Sequence, residues 1–403
     1  MKEPVLKEVR LRNILSFGPE TQVIPLKSLN VLIGPNGSGK SNFLETISLL
    51  RAAPKDLSAP VKEAGGVHDW LFKGSDSPEA SIEAIIHNPD HPDMPVRHMF
   101  SFVEHGNRFE VTSECIENYK PFSGYNDPVF YYKNQGGYIR LRSKSQPDAE
   151  VVSERESDEE RNLPREKIDP EKSILSQVKD PDRYPVLACI TGIYDSTYLY
   201  REWTFGRYTP PREPQRADLP IEYLMKSCEN LALVLNSLRL DPGAKREIID
   251  ALNYLYPEIK DYNVQITGGW VQLYLEEGRY SIPATRLSDG TLRYLCLLAV
   301  LCHPKPPSVV CIEEPELGLH PDVLPHLADL MISASKRCQL IVTTHSDMLV
   351  DALTDIPESV IVCEKRDGMT RMQRLDPEEL KEWLDCYRLG ELWLKGEIGG
   401  TRF

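Results

Sequence analysis

Long apolar runs are missing from this 403-residue chain: no stretch of 18 apolar residues occurs. The longest candidate, Tyr294–Cys302 (YLCLLAVLC), is too short to span a bilayer and reads as a buried helix. The opening MKEPVLKEVR lacks the apolar core of an export signal. The nine cysteines, an odd number, contain no CxxC pair, and Cys296, Cys302, Cys311 and Cys363 sit inside apolar runs. A disulfide framework is therefore excluded, and reduced thiols in a cytoplasmic protein without a membrane partner are expected. Positive charge is also scarce, with 47 Lys and Arg against 61 Asp and Glu, a net of −14. Bulk charge does not advertise nucleic-acid binding, so any such surface has to be a local basic patch. Internal repeats are absent.

What remains is ordinary globular composition, 41% hydrophobic and 27% charged, in a chain of two to three domains' length. The first forty residues alternate like strands at Val5–Leu11, Gln22–Pro25 and Leu29–Ile33. A glycine-rich turn follows, and Ser41–Arg51 then carries helical apolar spacing. Strand-like runs resume at Ala80–Ile86, Arg97–Val103, Arg108–Val111 and Pro128–Tyr132 and are expected as antiparallel additions to the first sheet. From Asp148 to Lys172 the chain is rich in Glu, Asp, Arg and Ser with no aromatic residue, and reads as a mobile surface loop. Helical patterns cover Pro181–Leu199, Pro220–Leu238 and Pro242–Leu255, and Gly268-Gly269 joins two alternating runs into a hairpin. From Leu287 onward strands and helices alternate, which implies a parallel sheet covered by helices. The expected organisation is an N-terminal part of the head over 1–143, an inserted loop and helical lobe over 144–260, and a C-terminal part of the head over 261–403.

Gly34-Pro35-Asn36-Gly37-Ser38-Gly39-Lys40-Ser41 is a complete G-x-x-x-x-G-K-[ST] phosphate loop between a strand and a helix. Its glycines let backbone N–H groups converge on phosphates, and the following helix presents its positive end. Lys40 is expected to reach the β- and γ-phosphates, and the Ser41 hydroxyl to hold Mg²⁺. The apolar strand Ser308–Ile312 ends in Glu313-Glu314-Pro315-Glu316. A carboxylate at such a tip can approach Mg²⁺, here Glu313, while its neighbour Glu314 polarises an attacking water. His345, in Thr343-Thr344-His345-Ser346, follows another apolar strand and can touch a γ-phosphate. Ser288, Asp289 and Gly290 open an apolar helix, either as a second anion site or as a plain N-cap.

In this order and with these flanks, the four segments resemble the ABC-type ATPase head, in the branch shared by SMC proteins, RecF and the OLD-like predicted ATPases of DNA repair and phage defence. The resemblance extends from the first strands to the GELWLKGEIGG tail. It implies an α/β P-loop head with a mixed sheet, antiparallel β additions and an inserted helical lobe. In that family LSDGT corresponds to the signature motif, EEPELGLHP to the acidic strand end with the D-loop, and TTHS to the switch histidine. It also implies ATP and Mg²⁺ as ligands and a homodimer in which each ATP lies between Gly34–Ser41 of one subunit and Ser288–Gly290 of the other. DNA and a separately encoded nuclease of the Toprim type, or another effector, are the further partners it suggests. The chain departs from the family pattern in four places. Glu313 stands where Asp is usual, His320 at the D-loop acid, Lys73-Gly74 near the expected Q-loop glutamine, and Leu15 where many relatives carry Arg.

From Ser41 to Ser288 is 288 − 41 = 247 residues without long heptad arms, so a full coiled-coil SMC protein is excluded. Arg201–Arg216 (REWTFGRYTPPREPQR) is open to reading as a nucleic-acid contact, a structural arm or a partner-docking segment. His87, His91 and His98 with Asp90 and Asp93 read as a polar hairpin tip before a metal site. Trp383 and Trp393 read as packing residues. Three functions follow as expectations: an ATP-driven dimeric switch in DNA repair or defence, a slowly hydrolysing ATP-sensing scaffold for a partner protein, and a transporter's nucleotide-binding subunit.

Overall fold

A computed structural model describes residues 3–401 except 76, 78, 90, 123, 125, 144–158 and 165–167. The strands of its central sheet are numbered in chain order: β1 (Leu29–Ile33), β2 (Thr197–Tyr200), β3 (Val309–Glu313), β4 (Gln339–Thr343), β5 (Val360–Arg366) and β6 (Met369–Arg374). They lie in the order β2-β3-β4-β1-β5-β6, all parallel except the β6 edge. The inner strands β1, β3 and β4 are buried along nearly their whole length because both faces are covered, as parallel sheets require. Val31, Ile33, Val310, Ile312, Leu340 and Val342 join one core with the helices α2 (Asp289–Leu301) and α3 (Leu324–Ala334). Leu32, Val309, Cys311, Ile341 and Ile361, one residue out of phase, join a second core with α1 (Lys40–Ala52). The alternation of side chains along each strand thus divides one sheet between two cores.

Leu6–Arg12 and Gln22–Pro25 pair with strands from Glu79–Ile86 to Glu159–Leu163 in an eight-stranded antiparallel sheet. The later runs are thus antiparallel additions to the sheet of the first two strands, as expected; this sheet covers α1, and of the first three strands only Leu29–Ile33 leaves it for the parallel sheet. A smaller sheet holds Ile259–Thr267 and Trp270–Glu277, joined by the expected Gly268-Gly269 hairpin. The acidic stretch from 148 lies largely outside the described residues, but Glu159–Leu163 pairs with Tyr138–Ser143.

Two expected helices are shorter than their patterns. The first is confined to Pro185–Asp195, and its end, TYLY, becomes β2 because these β-branched and aromatic residues fill the slot beside β3. The second spans only Leu231–Leu238. Ahead of it, buried Asn230 donates to the Pro220 and Tyr223 carbonyls at 2.8 and 2.9 Å and accepts from Met225 N at 2.9 Å, which folds residues 220–230 into a loop. Of the two tryptophans read as packing residues, Trp393 is buried and Trp383 is 44% exposed. Cys115, Cys311 and Cys363 are buried, and burial pushes their thiols up to about 12, out of reach of ordinary thiol chemistry.

His98 lies inside the antiparallel sheet and not at the 87–95 turn. Its ring nitrogens stand 3.1 Å from Glu114 Oε1 and 3.0 Å from the Tyr194 hydroxyl. Glu114 also accepts from Ser173 Oγ at 2.5 Å and Ile174 N at 2.9 Å, so one buried carboxylate ties two strands to the segment beyond residue 167. Replacing Glu114 with Ala strands all three donors without a partner and is expected to cost about 3 kcal/mol in urea unfolding. Loss of the exposed Lys7–Glu3 pair in Lys7→Ala is expected to cost no more than about 0.5 kcal/mol.

Candidate functional site

The phosphate loop runs from the end of β1 into α1. Gly34 (φ 143°) and Gly39 (φ 102°) are the positions at which a side chain cannot be built. A Cβ on Gly34 would lie 2.2 Å from the Cys363 carbonyl oxygen of β5, and one on Gly39 would lie 2.1 Å from Thr370 Oγ1 of β6. The loop is thereby pressed against two strands that follow it by more than three hundred residues in sequence. Thr370 fixes it further by donating from Oγ1 to the Ser38 carbonyl at 3.0 Å.

Lys40 is 5% exposed, and burial holds its amine below the usual lysine range. Its Nζ donates to the carbonyls of Gly34 at 2.7 Å and Pro35 at 3.1 Å, so the ammonium closes the loop on itself. Ser38 Oγ is buried with no hydrogen-bond partner among the described residues, and the Gly37 side of the loop faces open space. A buried cation, an orphaned hydroxyl and an open turn together fit a phosphate chain.

Parallel pairing carries Glu313 to this loop. β3 pairs β4, which pairs β1, and Glu313 emerges at the end of β3 opposite Thr343. Its Oε1 accepts from Ser41 Oγ at 2.5 Å. Glutamate in place of aspartate is therefore long enough to touch the loop serine directly, and the pair offers the hard oxygen donors that Mg²⁺ takes. The other oxygen, Oε2, accepts from Arg201 Nε at 2.7 Å, and the same guanidinium reaches Glu45 Oε1 of α1 at 2.6 Å.

Glu314 adopts φ 46°, an uncommon conformation for a residue with a side chain. Its N–H donates to the Thr343 carbonyl at 3.0 Å, which pins the turn, and its Oε1 stands 3.4 Å from His345 Nε2. Glu316 holds the histidine in place from behind. It accepts from Thr344 Oγ1 and from the His345 N–H, each at 2.7 Å, and burial pushes its carboxyl above the usual range. Glu314 and His345 thus face one another at ion-pairing distance.

Ser288, Asp289 and Gly290 do not enter this cluster. Ser288 Oγ caps α2, accepting from Thr291 N at 3.1 Å, and Asp289 pairs with Arg212 at 2.5 Å. Gly290 and Asp289 line a cavity of about 460 Å³ with Trp203, Phe205 and Arg293. Gly34, Pro35, Asn36 and His345 line a separate one of about 400 Å³, closed by Trp393 and Gly400 of the tail. The tail is tied down by Gly400 N donating to Glu364 at 2.8 Å and by Trp393 Nε1 donating to the Gly400 carbonyl at 3.1 Å.

Sequence reasoning missed Arg201, Glu316, Thr370 and the tail. Only the first two carried a signal: an arginine directly after the strand TYLY, and a third glutamate in EEPE. Lys73, in the expected Q-loop neighbourhood, lies at the surface bonded to the His68 carbonyl and Asp69. The described residues of HNPDHPDMPVRH form no cluster able to hold a metal.

Glu316→Leu is expected to lower stability by about 2 kcal/mol in urea titration, because the His345 N–H and Thr344 hydroxyl lose their acceptor. Glu316→Gln keeps an acceptor oxygen and is expected to stay within about 1 kcal/mol of the parent. A carboxyl raised in the folded state binds its proton more tightly there than in the unfolded chain. Wild-type stability is thus expected to fall as pH rises from the ordinary carboxylate range through the raised value, and Glu316→Gln to lack that decline.

The family described as "AAA domain, putative AbiEii toxin, Type IV TA system" matches residues 29–188 and 189–351, well over half of the chain. The chromosome partition protein Smc of Bacillus subtilis is 33% identical over 90 residues, 21% of this chain and only 7% of that protein's length. Among solved structures, an Smc head bound to the C-terminal winged-helix domain of ScpA superposes with a TM-score of 0.58 at 16% identity, covering 93% of this chain and 99% of the other. An Smc head with an extended coiled coil bound to the C-terminal domain of ScpA, from Pyrococcus furiosus, gives 0.57 at 16% identity, covering 95% and 99%. At such identities the likeness shows the fold, that of an SMC ATPase head. Among the described residues no helix is long and apolar enough to cross a membrane. The chain belongs to the "AAA domain, putative AbiEii toxin, Type IV TA system" family and is an ATPase of the AAA/SMC-head type.

Proposed function

We propose that this protein is an ATP-driven, Mg²⁺-dependent homodimeric switch that acts with a separate effector in DNA repair or anti-phage defence. The observation that carries this reading is the separation of two half-sites on one chain. Gly34, Pro35, Asn36 and His345 line one cavity, and Asp289 and Gly290 line another, with no lining residue in common. Two subunits related by a two-fold axis complete both sites at once, with Ser288–Gly290 of each set against the phosphates held by the other.

In this reading the backbone N–H groups of Gly34–Ser41 and the Lys40 ammonium bind the phosphates. Ser41 and Glu313 would hold Mg²⁺, which neutralises phosphate charge and orients the phosphoryl group. The Glu314 carboxylate takes a proton from the attacking water and becomes a carboxylic acid, and His345, 3.4 Å away, orients it. Binding closes the pair and hydrolysis reopens it. The Smc heads that share this fold were crystallised with ScpA domains, which supports a protein effector for this chain as well. One observation favours the slow ATP-sensing scaffold as a second reading: Arg201 already satisfies one oxygen of Glu313.

Lys40→Ala is expected to abolish nucleotide binding in calorimetric titration. Glu314→Gln is expected to bind ATP normally while turnover drops about 100-fold or more. Sedimentation with ATP·Mg²⁺ is expected to show that variant as a stable dimer. An unchanged mass despite bound ATP rejects the composite site and favours the scaffold. Ser288→Arg is expected to bind ATP but remain monomeric in the same sedimentation experiment, because the added side chain blocks the facing surface.

A further inference from the structure

The segment from Arg201 to Arg212 joins the two half-sites within one chain, and both of its ends are arginines engaged with site residues. β2 runs parallel to β3 with Tyr200 opposite Ile312, so the next residue, Arg201, stands beside Glu313. Its side chain is 21% exposed and bridges Glu313 and Glu45. At the other end buried Arg212 donates to the Leu287 carbonyl, to the Thr285 carbonyl at 3.4 Å and to Asp289 at 2.5 Å. These acceptors flank the start of α2, so Arg212 sets where Ser288–Gly290 lies.

The middle of the segment is anchored as well. Arg293 of α2 donates to the Trp203 carbonyl at 3.3 Å and to the Glu314 carbonyl at 3.5 Å, with its guanidinium 5.2 Å from the Phe205 ring centroid. Immediately after Arg201, Glu202 is held at φ 40°, a conformation that costs free energy unless its neighbours enforce it.

We propose that Arg201 and Arg212 are positioning residues that couple cation occupancy at Glu313 to the placement of Ser288–Gly290. The proposal rests on the Mg²⁺-nucleotide reading above. Without a divalent cation the guanidinium serves as the counter-charge of Glu313. A cation held by Ser41 and Glu313 competes for that carboxylate and repels the arginine, which retains Glu45 as a second partner. Glu202 then relaxes, and the displacement passes along 203–212 to the carbonyls held by Arg212.

The test uses Mn²⁺ with ADP on the full chain, because a diphosphate loads the cation site without the γ-phosphate that would draw in a second subunit. Two quantities are measured: Mn²⁺ affinity at saturating ADP by electron paramagnetic resonance, and amide hydrogen exchange over 203–212 and 287–293. In the wild type, Mn²⁺·ADP is expected to raise exchange over both stretches. Arg201→Ala is expected to show the raised exchange without ligand, to respond no further, and to bind Mn²⁺ about five-fold more tightly. Arg201→Lys, which keeps the charge but reaches one carboxylate at a time, is expected to fall between them. Arg212→Ala is expected to keep the response at 203–206 and lose it at 287–293.

An Arg201→Ala protein whose exchange still rises with Mn²⁺·ADP as in the wild type, or which binds Mn²⁺ no more tightly, overturns the coupling and leaves the Mg²⁺-nucleotide reading intact. A wild type that does not bind Mn²⁺·ADP overturns both.

Discussion

Parallel pairing of β3, β4 and β1 is the constraint on which the rest of this structure depends. Three strands drawn from residues 309–313, 339–343 and 29–33 are locked in register, so their carboxyl ends fall on one edge. That edge delivers Glu313 to Ser41, Glu314 to the turn beyond it and His345 to the neighbouring loop. A one-residue slip of β3 would send Glu313 to the other face of the sheet and exchange the side chains of the two cores. Burial on both faces makes such a slip very costly, and the site inherits its precision from apolar packing.

The site itself holds charge that packing does not neutralise. Lys40 is buried against carbonyls, Glu316 against two donors, and Glu313 between Ser41 and Arg201. Groups of both signs are therefore oriented before any ligand arrives, and the cost of ordering them is met by folding. Preorganised charge of this kind is what stabilises a reaction in which negative charge is redistributed on phosphate oxygens.

The stretch 201–212 changes the meaning of the chain's inserted middle. Arg201, Arg212, Trp203 and Phe205 are engaged with Glu45, Glu313, Asp289 and Arg293 while Arg207 and Tyr208 stay exposed, so the reading as a nucleic-acid contact loses two of its arginines. Its position between the half-sites suits it to report from one to the other. The tail makes a comparable contribution on the far side, where Trp393 and Gly400 form part of the wall beside the phosphate loop.

By itself the sequence determined the elements whose chemistry is local. The phosphate loop, the β1 and β3 strands, the hairpin at Gly268-Gly269 and the N-cap at Ser288 each follow from residue types within a few positions of one another. It also specified the alternation behind the parallel sheet, because strands buried on both faces must be apolar throughout. Tertiary structure alone decided the rest. TYLY follows a helical pattern without a break and becomes a strand only because a place beside β3 is open to it. The antiparallel pairing of the later strands was legible in their alternation, and packing alone placed that sheet over α1. Arg201 and Glu316 belong to the site because their partners lie on other elements, Glu313 and Glu45 for the one, Thr344 and His345 for the other, and no local pattern encodes a contact between elements. Local chemistry names a phosphate site, and only the packed sheet decides which charges surround it.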